Sequence, residues 1–231
     1  MPEAQAIEKM FGGIAPRYDL ANHLLSFGLD PGWRRRVVRL VAAAKPRVVV
    51  DLCTGSGDMA FALKKQLDPQ VEVHGLDFCA PLIEVAERKK ATQPWARDIA
   101  FAQGDCLNLP LADQSADALT IAWGLRNLED RARGLREMFR VLRPGGKLFV
   151  LDNSQPEGWT RPLCRFYMNI IVPSAGGLLT GRPEAYRYLA TSSAAFPGRA
   201  ALAAEITAAG FTRVHAEALA FGSVALHEAQ K

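Results

Sequence analysis

Acids bracket a glycine turn in the segment Val48-Val49-Val50-Asp51-Leu52-Cys53-Thr54-Gly55-Ser56-Gly57-Asp58. Two more, Asp77 and Asp105, follow the next apolar runs. Glycines let a backbone come close to a ligand. Carboxylates beside such a turn repel phosphate and attract a cation, and the effect is strong where the effective dielectric is low. This chemistry calls for a ligand with a positively charged end and polar groups for the remaining acids.

The acids need a scaffold that gathers them. From Val48 the chain alternates strand and helix. Strands are expected at Val48–Leu52, Val71–Asp77, Ile99–Gln103, Ala118–Ala122 and Lys147–Leu151. Helices are expected at Asp58–Gln66, Pro81–Lys90 and Asp130–Leu142, the last with Leu135, Met138, Phe139 and Leu142 on one face. Pro144-Gly145-Gly146 should stop that helix. Residues 156–196 read as an irregular, partly helical insertion. A helix at Ala200–Ala209 and strands near Arg213–Ala218 and Ser223–Glu228 close the chain. The alternation predicts a mostly parallel sheet covered on both faces, in one α/β domain. Ligands of such sheets bind outside the carboxyl ends of the strands. Asp51, Asp77 and Asp105 fall there.

Gly55-x-Gly57-x-x-Ala60 with Asp77 some way downstream also fits a dinucleotide fingerprint. A pyrophosphate would then lie on the helix N-terminus, between Asp51 and Asp58. Those acids favour S-adenosylmethionine instead, whose sulfonium and ammonium are cationic. Asp77 can accept from both ribose hydroxyls. Phe78 can pack on the adenine. Asp105 can accept from the adenine amino group, and the Cys106 backbone N–H can donate to the ring.

Length and composition set further bounds. The chain has 231 residues, 49% hydrophobic and 23% charged, enough for a sizeable core. It has no signal-like start and no apolar run of bilayer length, so a cytosolic setting is expected. The four cysteines form no Cys-x-x-Cys pair, and the histidines lack ligand spacing, so no metal is expected. The net charge of +4 is partly local, in Arg34-Arg35-Arg36, which could touch an anionic membrane surface. No aromatic residues alternate with basic ones, so nucleic acid is not an expected partner.

The residues resemble class I S-adenosylmethionine-dependent methyltransferases, and more closely the ubiquinone/menaquinone biosynthesis C-methyltransferase family. Phe11-Gly12-Gly13-Ile14-Ala15-Pro16-Arg17-Tyr18-Asp19 and Asn22–Asp30 with Trp33-Arg34 are similar to its N-terminal signatures. Ala122-Trp123-Gly124-Leu125-Arg126-Asn127-Leu128 stands where the family has a Gly-Leu-Arg-Asn element. Glu184–Leu189 and Val224–His227 are similar to late motifs. Two segments depart from the pattern, Leu151-Asp152-Asn153-Ser154-Gln155-Pro156 and Cys53-Thr54.

The resemblance implies a three-layer, Rossmann-like fold with a seven-stranded, mostly parallel sheet and an antiparallel last strand. It implies methylation of a ring carbon of a polyprenylated quinol. By position, Ser56, Asp77, Asp105, Cys106 and Ala122, with the following Trp123, would contact the cofactor, while Gly55 and Gly57 shape its loop. Carbon methylation needs a phenolate-like ring. Arg126 can stabilise one but stays protonated, so it is no conventional base. Asn127 could orient Arg126 or bond the ring oxygen. Tyr18 and Asp19 could close over the cofactor from a helical lid at 1–45. Asp152, Tyr186, Tyr188 and His227 are further candidates for the proton path. The insertion could wall a prenyl pocket, and a homodimer is compatible with this reading. Another small aromatic acceptor, a binding protein without transfer activity, and a dehydrogenase remain as alternatives.

Overall fold

The computed structural model describes residues 23–231. Tyr18 and the Phe11–Asp19 signature lie outside them. Within that range α1 (Asp30–Ala43) leads into β1 (Val48–Leu52), α2 (Asp58–Gln66), β2 (Glu72–Asp77), α3 (Ala80–Ala91) and β3 (Ala100–Gln103). Next come β4 (Ala116–Ala122), α4 (Arg131–Val141), β5 (Leu142–Asn153), the cap helices α5 (Arg161–Phe166), α6 (Val172–Thr180) and α7 (Pro183–Ala195), α8 (Arg199–Ala208), β6 (Thr212–Leu219) and β7 (Val224–Gln230). None of the described helices is long and apolar enough to cross a membrane.

The seven strands form one sheet in the order β3-β2-β1-β4-β5-β7-β6. β1 to β5 pair in parallel, and β7 runs antiparallel to both β5 and β6. Successive strand side chains point to opposite faces, and this alternation makes two cores. Val50, Leu52, Leu119, Ile121, Leu148 and Val150 pack with α4 and α8. Val49, Val73, Ala118, Phe149 and Leu151 pack with α1 and α2. The sheet is thus the middle of three layers. Strand order reverses between β1 and β4, which opens a crevice at their carboxyl ends.

Most strand and helix ends fall within a residue or two of expectation, and two regions differ more. α4 ends at Val141, and Leu142 is already extended (φ −68°, ψ 139°) and paired with Ala116. Arg143 precedes Pro144, which disfavours helix. The Pro-Gly-Gly turn is a bulge inside β5, after which pairing resumes at Ala118 with Lys147. The 156–196 insertion is mostly helical. Its prolines 162, 173 and 183 fall in the first turns of α5, α6 and α7, where a missing N–H does no harm. A π-helical stretch, Tyr167–Ile171, joins α5 to α6.

Candidate active site

A cavity of about 860 Å³ opens at the carboxyl ends of the parallel strands. Its wall includes Asp51, Gly55, Ser56, Asp77, Phe78, Asp105, Cys106, Ala122, Trp123, Arg126 and Asn127. These residues come from separate chain segments, and the crevice at the reversal brings them together. Gly57 does not line the cavity; it shapes the turn. Its φ is +87°, and a Cβ there would stand 2.8 Å from Phe61 and 2.9 Å from Phe101. At Gly55 (φ +57°) a Cβ would meet nothing within 4 Å, so the loop backbone is bare on that side.

The loops after β1 and β4 press together. Cys53 and Trp123 both adopt positive φ (51° and 62°), a strained choice for residues with side chains. Gly124 is required at this contact, because a Cβ there would collide with Cys53. This close approach explains the glycine of the Gly-Leu-Arg-Asn element. Cys53 and Cys106 bring their sulfurs to 3.7 Å across the same wall.

The acids have distinct jobs. Asp77 accepts the Gly55 N–H at 2.8 Å and the Cys79 N–H at 2.9 Å, one on each oxygen. A carboxylate has about four lone-pair sites, which leaves acceptor capacity for a ribose. Asp105 uses one oxygen for the Leu107 N–H at 2.8 Å, which holds the Cys106 backbone in a turn. Asp51 accepts from the hydroxyls of Thr54 (2.6 Å) and Thr120 (2.7 Å). Thr120, inside a buried strand, carried no signal in the sequence.

Burial pushes the Asp51 carboxyl up to about 7, against the pull of those two hydroxyls. An unfolded aspartate loses its proton near pH 4. The folded chain therefore holds the extra proton between about pH 4 and about 7, so this group's contribution to stability falls as pH rises through that window and is level above it. A cationic ligand has the opposite preference and favours the ionised form. Affinity for S-adenosylmethionine should drop by up to about tenfold per pH unit below 7. Asp51→Asn should flatten the dependence. Calorimetric titration from pH 5.5 to 7.5 checks this, and superimposable profiles would contradict it.

Asp58 behaves differently from the sequence reading. Its oxygens meet Lys89 Nζ at 3.0 Å and an Arg34 nitrogen at 3.4 Å, so its charge is neutralised by protein. Asp58 therefore adds little to the exclusion of phosphate. Lys89 also donates to Ser56 Oγ at 3.0 Å. No motif in the chain foretold that α3 would send a lysine to this turn.

Arg126 is buried. Its Nη1 donates to Asp152 Oδ1 at 2.9 Å and to the Trp123 carbonyl at 2.5 Å, while its own backbone N–H reaches Asp152 Oδ2 at 3.2 Å. Asp152 also accepts the Asn153 N–H. Both its oxygens are thus engaged, and its role is to hold Arg126. Asn127 accepts from the Tyr188 hydroxyl at 3.2 Å. Burial raises the Tyr188 pKa, although nearby Arg126 pulls the other way. Tyr186 packs with Val172 and Ala185 within the cap and does not line the cavity. His227 is also outside the wall: its Nε2 meets the Arg199 carbonyl at 2.9 Å, and burial lowers its pKa.

The far wall is apolar. It is built from Leu25, Phe27 and Trp33 on the N-terminal side and Leu163, Tyr167, Met168 and Val172 from the cap. Tyr167 links the two sides by donating to the Leu25 carbonyl at 2.7 Å.

A family model described as the ubiE/COQ5 methyltransferase family matches residues 2–231. A demethylmenaquinone methyltransferase of Thermus thermophilus is 46% identical over 219 residues, covering 94% of this chain and 98% of that protein. A ubiquinone/menaquinone biosynthesis C-methyltransferase UbiE of Geotalea daltonii is 36% identical, covering 99% and 97%. Among solved structures, a SAM-dependent methyltransferase of Thermotoga maritima aligns with a TM-score of 0.63 at 19% identity, over 96% of this chain and 99% of that one. One from Aquifex aeolicus gives 0.57 at 18% identity, over 80% and 81%. These structural likenesses speak for the fold.

Proposed function

The chain belongs to the ubiE/COQ5 methyltransferase family, and from that premise we propose that it methylates a ring carbon of a polyprenyl quinol, converting demethylmenaquinol to menaquinol. It is an S-adenosylmethionine-dependent methyltransferase. The naphthoquinol is favoured because relatives at 46%, 43% and 38% identity all carry the name demethylmenaquinone methyltransferase. The observation that carries the reading is the cavity itself. It runs from the acid-lined strand ends onto an apolar cap, so a polar cofactor and a lipid-tailed ring have adjoining walls.

The bound cofactor supplies an electrophilic methyl group. The protein has to make the ring carbon electron-rich and hold it in place. Arg126, fixed by Asp152, places a permanent positive charge in the wall, where it stabilises a phenolate oxygen. Asn127 and Tyr188 form a polar pair beside it. Tyr188 does not line the cavity; its hydroxyl donates to Asn127, so it orients that amide. The apolar cap excludes water from the ring.

We also propose that the enzyme works at a membrane surface. Phe27, Leu163 and Phe221 line the cavity yet are largely exposed, so its rim is apolar. Phe166 and Leu178 on the cap are exposed as well, as are Arg161 and Arg165 on α5. The Arg34-Arg35-Arg36 run does not act as a unit. Arg34 turns inward, Arg36 pairs with Glu217 at 3.1 Å, and Arg35 is exposed.

The purified protein with S-adenosylmethionine should methylate a prenylated demethylnaphthoquinol carried in anionic vesicles, and a benzoquinol more slowly. Mass spectrometry of the extracted quinones reads the product; no product from either ring would overturn the proposal. The double change Phe166→Glu/Leu178→Glu should reduce vesicle co-sedimentation and turnover of the long-tailed quinol by about tenfold, roughly 0.7 kcal/mol for each partly buried side chain lost. It should leave turnover of a short-tailed, water-soluble quinol unchanged. Equal loss on both substrates would refute the membrane reading.

A further inference from the structure

S-adenosylmethionine ends in a carboxylate as well as an ammonium, and the acids described above cannot bind it. Among the described residues, the cationic side chains lining the cavity are Arg34, Arg126 and Arg165. Arg126 is engaged by Asp152 and the Trp123 carbonyl, on the β4–β5 side. Arg165 is exposed on the cap helix α5. Arg34 stands beside the glycine turn, because its partner Asp58 is the first residue of α2, directly after Gly57.

Arg34 is held from behind. One of its terminal nitrogens contacts Asp30 Oδ2. Asp30 is buried and is itself fixed on its other oxygen by His23 Nδ1 at 2.8 Å and Ser26 Oγ at 2.9 Å. The second contact, to Asp58 at 3.4 Å, is long. Asp58 also has Lys89 at 3.0 Å, on its other oxygen. A guanidinium carries more N–H groups than these two contacts use, in a planar fork suited to a carboxylate. The arrangement is a clamped cation with a loosely held carboxylate on its cavity side, next to the loop that receives the methyl donor.

We propose that Arg34 binds the α-carboxylate of the methyl donor, in the place that Asp58 approaches here. The proposal rests on the S-adenosylmethionine reading and assigns Arg34 a binding role, with no part in the chemistry at the ring. Asp30, His23 and Ser26 are positioning residues for it. The basic run of α1 thereby contributes its first arginine to the cofactor and only the others to the surface.

The test compares two ligands that differ at one group. S-adenosylmethionine carries the carboxylate; its decarboxylated form keeps the sulfonium, the ammonium and the adenosine. Arg34→Gln should raise the dissociation constant for S-adenosylmethionine by about 10–100-fold, the range expected for hydrogen bonds to a charged group. It should leave affinity for the decarboxylated form within about twofold of the wild type. Arg34→Lys should recover part of the loss, since it restores the charge without the fork. Equal weakening of both ligands would mean that Arg34 supports the loop, and no weakening of either would mean that it does not touch the ligand; each result overturns the proposal. Failure of the unaltered protein to bind S-adenosylmethionine would instead overturn the cofactor reading.

Discussion

Replacing Asp152 by alanine should lower the stability of this enzyme by about 3–5 kcal/mol, because it leaves Arg126 as a buried charge without its carboxylate. Arg126→Ala should cost a similar amount for the reciprocal reason. The side chains are 4% and 1% exposed, so water cannot take over either partner's role. A double change to apolar residues of similar volume, Arg126→Met with Asp152→Leu, should recover much of the stability. Turnover should not recover. All three variants should lose about 10²–10³ in kcat, the usual cost of removing a group that stabilises developing negative charge. Urea unfolding and steady-state assays on the same preparations separate the effects. A double variant that regained full turnover would show that the pair serves packing alone. The distinction matters because the arginine also holds the Trp123 carbonyl, as a purely structural residue would.

Asp77→Ala should be the most damaging single change to cofactor binding. Asp77 holds Gly55 and Cys79 by their backbone N–H groups and has lone pairs left that can accept from a ribose. Hydrogen bonds to charged groups contribute about 1.5–3 kcal/mol each. Loss of two to the ribose should raise the dissociation constant about 10²–10⁴-fold. In contrast to Arg34→Gln, this change should weaken S-adenosylmethionine and its decarboxylated form by the same factor. Calorimetry with both ligands checks this. A loss confined to the carboxylate-bearing ligand would place the ribose elsewhere.

Much of this was legible in the chain because its signals are local. β1 and α2 occupy the expected spans, since a β-branched run and a glycine turn fix them within a few residues. The carboxyl-end acids converge because parallel strands share a direction. What the sequence concealed are contacts between distant segments. Thr120 meets Asp51 across 69 residues, and Lys89 meets Asp58 across 31. No spacing rule links them. The first pair supports the ionised form of a carboxyl that burial pushes toward its protonated form, and the second removes a repulsion that the sequence implied. The cap was hard to read for another reason. Its prolines are helix breakers by composition and helix starters by position, and only the three-dimensional arrangement decides which. Gln155 departs from the family pattern, yet its amide donates to the carbonyls of Ser193 at 2.8 Å and Phe196 at 3.0 Å, fastening the end of α7 to the exit of β5.

The position of β7 between β5 and β6 bears on how the polypeptide is made. β6 has no neighbour other than β7 among the described strands, and β7 comes later in the chain. A ribosome that has released everything through Leu219 has therefore produced two open strand edges, on β5 and on β6, with nothing to fill the gap. Such edges are templates for pairing with other chains. A folding intermediate that lacked β7 would leave both edges open to misassembly, and residues 224–230 close them together.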